Sequence, residues 1–97
     1  MLTSKQRAFL RKEAQTLDPI FQIGKGGVSP DLVDAVSDAL EKRELIKINV
    51  LNNCEEDIDL CADKLSKRTH SECVSMIGHR FVLYRAAKEP KIELPKR

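Results

Sequence analysis

The sequence predicts a two-layer α/β sandwich of order α-β-α-β-α-β-β with a mixed four-stranded sheet. Three stretches repeat apolar residues at helical spacing, and four shorter runs alternate or are continuously apolar. The two kinds of segment succeed one another with Gly, Pro and Asn at the joints. At 97 residues the chain has room for one domain. Hydrophobic residues make up 41%, enough for a core. Aromatics are 4% and Trp is absent, so stacking on exposed rings is not expected to dominate any nucleic-acid contact.

The first helix is read over 4–16. Thr3 and Gln6 fit a capping box, and Leu10, Ala14 and Leu17 form its core stripe. Lys5, Arg7, Arg11 and Lys12 surround that stripe with Glu13 alone opposing them, so this helix is a candidate part of a basic face; an ordinary solvated face is the plain alternative. Asp18-Pro19 ends the helix. The short strand Ile20-Phe21-Gln22-Ile23 then delivers the chain to Gly24-Lys25-Gly26-Gly27-Val28-Ser29-Pro30, the stretch with the sharpest chemistry.

Glycines there let another backbone approach, Ser29 suits an N-cap and Pro30 suits the first helical position. A helix N-terminus offers free N–H groups and partial positive charge, and Lys25 adds a full one, so the loop is a candidate phosphate contact. A tight strand-to-helix connection is the plain alternative. The order of residues excludes a P-loop, and Ser29 stands where a dinucleotide fingerprint needs its third glycine. What remains is G-x-x-G over Gly24–Gly27, a loop that RNA-binding KH modules use to clamp backbone.

Helix two spans about 30–43, with Leu32, Val33, Val36, Ala39 and Leu40 inward and the acidic residues Asp34, Asp38 and Glu41 outward. Residues 45–51 alternate as a half-buried strand, Ile46, Ile48 and Val50 on one side and Lys47 and Asn49 on the other. Asn52-Asn53 turns the chain and caps helix three, whose first turn holds Glu55, Glu56 and Asp57 and whose last holds Lys64, Lys67 and Arg68. The helix dipole accounts for those charges. Ile58, Cys61, Ala62 and Leu65 make its buried stripe. Two strands, 73–77 and 81–84, join at Gly78-His79, a two-residue loop that suits a type II′ hairpin. Phe81–Tyr84 is apolar on both faces, which predicts a central strand. Right-handed crossovers place helices two and three on one face of the sheet. The domain is expected over 1–87, followed by an extended, mobile, basic tail over 88–97.

Net charge is +2 but segregated. Residues 1–28 carry five Lys/Arg against two Asp/Glu, 29–75 six against eleven, and 76–97 six against two. A basic start and end around an acidic middle suggest one positive face if the ends meet. Three cysteines at irregular spacing argue against a disulfide framework. Cys61, His70, Cys73 and His79 lack the pair spacing of a zinc site, so no metal or other cofactor is expected. There is no signal peptide and no membrane-length apolar run, so a cytoplasmic protein, expected to act as a monomer, is the default.

Leu2-Thr3-Ser4-Lys5-Gln6-Arg7, Ile23-Gly24-Lys25-Gly26-Gly27 and Ile77-Gly78-His79-Arg80-Phe81-Val82-Leu83-Tyr84-Arg85 together resemble the CRM domain, the chloroplast RNA splicing and ribosome maturation module, in its stand-alone bacterial YhbY-type form. The resemblance covers nearly all of residues 2–85. It implies a fold similar to the C-terminal domain of translation initiation factor three, with sheet order 1-2-4-3 and strand four internal and antiparallel. It implies RNA binding and association with precursors of the large ribosomal subunit. Its G-x-x-G loop falls on Gly24, Lys25, Gly26 and Gly27. The expected RNA-contacting set is that loop with Ser29, Lys5, Arg7, Arg11, Arg80 and Arg85. Two other classes stay open: a module docking on a ribosomal protein through the acidic side of helix two, and a small nucleotide-binding enzyme, for which no general base is evident.

Overall fold

The computed structural model describes residues 2–96. Its elements are α1 (Ser4–Ala14), β1 (Phe21–Ile23), α2 (Pro30–Arg43), β2 (Leu45–Val50), α3 (Ile58–Thr69), β3 (Glu72–Ile77) and β4 (Arg80–Tyr84). The sheet order is β1-β2-β4-β3, with β1 parallel to β2 and β4 antiparallel to both its neighbours. This is the expected α/β fold with its mixed sheet and inserted last strand.

Local chemistry sets the helix starts. Thr3 and Gln6 exchange the two hydrogen bonds of a capping box at α1, and the Ser29 side chain accepts the Leu32 N–H with Pro30 opening α2. The hairpin turns through Gly78 at φ +60, while His79 keeps an ordinary φ, as a type II′ loop requires.

Two apolar clusters lie on opposite sides of the sheet. Val36 and Leu40 of α2 and Cys61, Ala62 and Leu65 of α3 close on Ile23, Ile46, Ile48, Val50, Phe81 and Leu83. On the other side Leu10 and Ala14 of α1 cover Leu45, Val74, Val82 and Tyr84. The burial of Phe81–Tyr84 in β4 therefore follows from cover on both faces, α2 and α3 on one and α1 on the other, while Arg80 at its start stays exposed. A register shift between Cys73 and Ser75 inserts Val74 as an extra residue in β3.

Three expectations are corrected. Helix α1 ends at Ala14, not 16. Helix α3 begins at Ile58 with Asp57 at its N-cap, so Glu55 and Glu56 precede it and the Asn pair is not its cap. The third correction concerns the C-terminal segment, which has no helix or strand yet is seated on the domain: Ile92 and Leu94 pack on the α1-side cluster, and the Gln6 amide donates to the Pro95 carbonyl at 3.1 Å. Its anchor is Glu44, fully buried, whose carboxylate accepts the N–H groups of Ala87 (3.2 Å), Lys91 (2.5 Å) and Ile92 (2.9 Å). An acid beside a helix C-terminus looks like surface in a sequence, and nothing local marks it as an anchor. The terminal residues Met1 and Arg97 lie outside the described residues.

Candidate nucleic-acid interface

The glycine loop leaves the sheet at the end of β1. The Gly27 N–H donates to the Gly24 carbonyl at 3.0 Å, closing a turn whose exposed tip is Lys25-Gly26. Gly27 sits at φ +65, where a side chain is strained, and a Cβ there would collide with the Glu56 carboxylate. A Cβ on Gly26 would meet nothing within 4 Å.

Glu56 changes the reading of this loop. Its carboxylate accepts the Val28 N–H at 3.1 Å and pairs with the Lys64 ammonium. The Lys64 hydrogen bond and then the Val28 amide hold its carboxyl below the usual value. The chain thus supplies its own anion at the base of the loop. The Leu32 N–H is capped by Ser29, so the Ser29 hydroxyl serves the start of α2. The Lys25 and Gly26 N–H groups and the Lys25 ammonium have no partner among the described residues. The loop's unpaired charge thus lies at its tip, not at the helix N-terminus.

The β3–β4 turn reaches the same end of the sheet: the Val50 N–H donates to the His79 carbonyl at 2.7 Å, and Arg80 pairs with Asn49 in the sheet. Two strand spacings separate β1 from β4, about 10 Å. Beyond Arg80, on the α1 side, a groove of about 490 Å³ runs between α1 and the part of the sheet it leaves uncovered. Arg11, Lys47 and Arg80 project into it, with Gln15 and Ser75, over a floor that includes Val82; among the described residues no acidic one lines it. Lys5 and Lys12 flank this face on α1, at helical spacing from Ala8 on its rim.

Two of the candidate arginines are used elsewhere. Arg85 donates to the Ser37 hydroxyl (3.0 Å), the Ser37 carbonyl (2.7 Å) and the Thr69 carbonyl (2.7 Å), with Glu41 at 3.8 Å, so it ties α2 to the end of α3. Arg7 donates to the Cys73 carbonyl at 2.7 Å with Glu72 at 3.9 Å, so it ties α1 to β3. Both guanidinium groups thus have partners within the fold. By contrast, the side chains of Lys5, Arg11, Lys25, Lys47 and Arg80 make no hydrogen bond or ion pair among the described residues. Lys47 was missed as a candidate. Alternation in β2 did place it opposite Ile46 and Ile48, but only the position of α1 turns that face into a basic groove.

The cysteines are packed, not poised. Burial pushes Cys61 up to about 12, with Cys54 alongside at 3.8 Å, and burial likewise raises Cys73. Among the described residues no group of three His, Cys, Asp or Glu side chains is arranged to hold a metal. His70 caps α3 and His79 sits in the hairpin turn, at opposite ends of β3.

The family model of the CRS1 / YhbY (CRM) domain matches residues 2–85. The chain belongs to this family. It is 53% identical over 96 residues to the "Probable RNA-binding protein YqeI" of Bacillus subtilis, covering 98% of this chain and all of that one. A Haemophilus influenzae "RNA-binding protein" is 34% identical over 96 residues, with 99% and 97% covered. The solution structure of the Staphylococcus aureus protein SAV1595 superposes with a TM-score of 0.83 at 51% identity, over 98% of this chain and all of that one. The CRM match ends at Arg85, so it contains both the glycine loop and the groove. No helix among the described residues is long and apolar enough to cross a membrane.

Proposed function

We propose that this CRM domain binds RNA without catalysis, in the cytoplasm and as a monomer, through the Lys25-Gly26 tip and the row of cations Arg11, Lys47 and Arg80, with Lys5 on its flank. The observation that carries this is the grouping of charge. Among the described residues Arg7, Arg85, Lys64 and Lys67 are paired within the fold, whereas Arg11, Lys47 and Arg80 share one groove with no pair and no acidic residue in its lining, and Lys25 is unpaired at the loop tip by the same end of the sheet. Unpaired cations beside an apolar wall suit a polyanion, and phosphate contacts of this kind fix position more than they read sequence. Membership of a family whose relatives are named RNA-binding proteins supports the same reading.

The finer proposal is association with precursors of the large ribosomal subunit during assembly. Crosslinking in cells followed by sequencing of the attached RNA tests it. Enrichment of large-subunit ribosomal RNA is expected, and loss of that enrichment in Gly26→Asp, which adds a negative charge where there is open space. Crosslinks to a ribosomal protein and none to RNA would instead assign the function to the exposed acidic stripe Asp31, Asp34 and Asp38 of α2.

A further inference from the structure

We propose that the groove between α1 and the sheet seats a single unstacked nucleotide of the bound RNA, so that the protein prefers a bulge, loop or end over a continuous duplex. This rests on the RNA-binding reading above and adds a ligand geometry to it.

The groove brings two chemistries to one place. Arg11, Lys47 and Arg80 supply three unpaired positive charges, and Ala8, Ile77 and Val82 supply apolar surface between them. A surface that meets only phosphates has no use for the second. Its volume, about 490 Å³, falls in the range of small-molecule sites and accommodates a nucleotide. Ile77 is the telling residue. It ends β3 directly opposite Arg80 and is 76% exposed, more than any other large apolar side chain among the described residues. An aliphatic side chain held in water beside a cation is suited to the face of a base whose phosphate the cation holds.

Exposed aromatics are the usual platform for an unstacked base, and arginine guanidinium planes are the alternative. Here Tyr84 and Phe81 are buried, and Arg11 and Arg80 are the planar groups available. The Gln15 amide and the Ser75 hydroxyl supply donors and acceptors within the same groove for a base edge. A continuous A-form helix keeps its bases stacked inside and presents phosphates and 2′-hydroxyls, so it cannot fill such a groove. An unpaired nucleotide presents a phosphate and a free base face together, which is the combination the lining offers.

The test uses fluorescence anisotropy with the full chain and three kinds of RNA hairpin sharing one stem. The first carries a single bulged A, C, G or U, the second an abasic residue at the bulge, and the third an uninterrupted stem. The protein is expected to bind at least one bulged hairpin roughly tenfold more tightly than the abasic and uninterrupted ones, the effect of stacking one base. Ile77→Ser should abolish that preference and leave affinity for the uninterrupted stem unchanged, with an unaltered circular dichroism spectrum because the side chain is exposed. Lys47→Ala should weaken binding to the bulged hairpin. Equal affinity for all bulged and abasic hairpins, or a full preference retained by Ile77→Ser, overturns the proposal and leaves the RNA-binding reading standing. Saturable binding of free mononucleotides without any bulge preference also overturns it. Absence of binding to all three hairpins overturns both readings.

Discussion

Glu44 follows the last turn of α2 at φ +65, a left-handed value that a side chain adopts at some cost. What holds it there is its carboxylate, which gathers three N–H groups of the C-terminal segment. Burial pushes the carboxyl up, but the Lys91, Ile92 and Ala87 amides and the Lys91 charge outweigh it, and the net direction is below the ordinary 4.5. A carboxyl lowered in the folded state adds stability that is present above its unfolded value and lost as pH falls through the folded one. Glu44→Gln should therefore have a lower thermal midpoint than the parent at neutral pH, and the gap should close as pH is taken below 4.5. Melts of the two proteins across that range decide it; a gap that stays constant would mean that the charge on Glu44 is irrelevant to the anchor. Gly27 and Gly26 make a second contrast. Gly27→Ala meets both the left-handed φ and the Glu56 carboxylate, and should cost about 1–2 kcal/mol in a denaturant titration. Gly26→Ala should cost less than about 0.5 kcal/mol, since its Cβ enters open space.

Among the elements, the C-terminal segment departs furthest from expectation. Proline punctuation and alternating charge describe a chain that solvates well, and Ile92 and Leu94 are too sparse to announce a docking surface. They dock because α1 covers only part of its side of the sheet, leaving apolar surface beside Leu45 and Tyr84. Deleting residues 88–97 should remove this cover and leave the Glu44 carboxylate without two of its three partners. About 2 kcal/mol is lost by either accounting, through apolar area or through an unsatisfied buried group. For a domain of this size that lowers the thermal midpoint by about 8–16 °C. A midpoint within a degree or two of the parent would return the segment to the status of a free tail.

For the whole molecule, the electrostatic term is the readable one. If Lys25, Arg11, Lys47 and Arg80 each neutralise a phosphate of single-stranded RNA, the log-log dependence of affinity on salt has a slope of about −3. Lys25→Ala should make it shallower by about 0.7, with weaker binding and an unchanged melt. Arg85→Ala should do the reverse, lowering the melting midpoint by breaking the tie between Ser37 of α2 and Thr69 of α3 while leaving the slope alone. A slope change in Arg85→Ala with an unchanged midpoint would reinstate it as a ligand contact.

Features that depend on neighbours along the chain can be read from the amino-acid order alone. Thr3 with Gln6, Ser29 with Pro30, and Gly78 with His79 act within four residues, so their caps and turn were legible and formed as read. The apolar stripes of α2, α3 and β4 were legible for the same reason, because periodicity of 3.6 or 2 is itself local. The tertiary structure decided everything that depends on which surfaces meet. Glu56 reads as a helix-dipole charge until the glycine loop arrives above it. Lys47 reads as the outer side of a strand until α1 makes that side a groove. Arg7, Arg11, Arg80 and Arg85 are alike in a sequence, and only carbonyls and carboxylates distant in the chain divide them into struts and unpaired charges. A cation carries no local mark of its partner, since a long flexible side chain is satisfied equally by water, by its own fold or by a phosphate, and the choice is made where the chain folds back on itself.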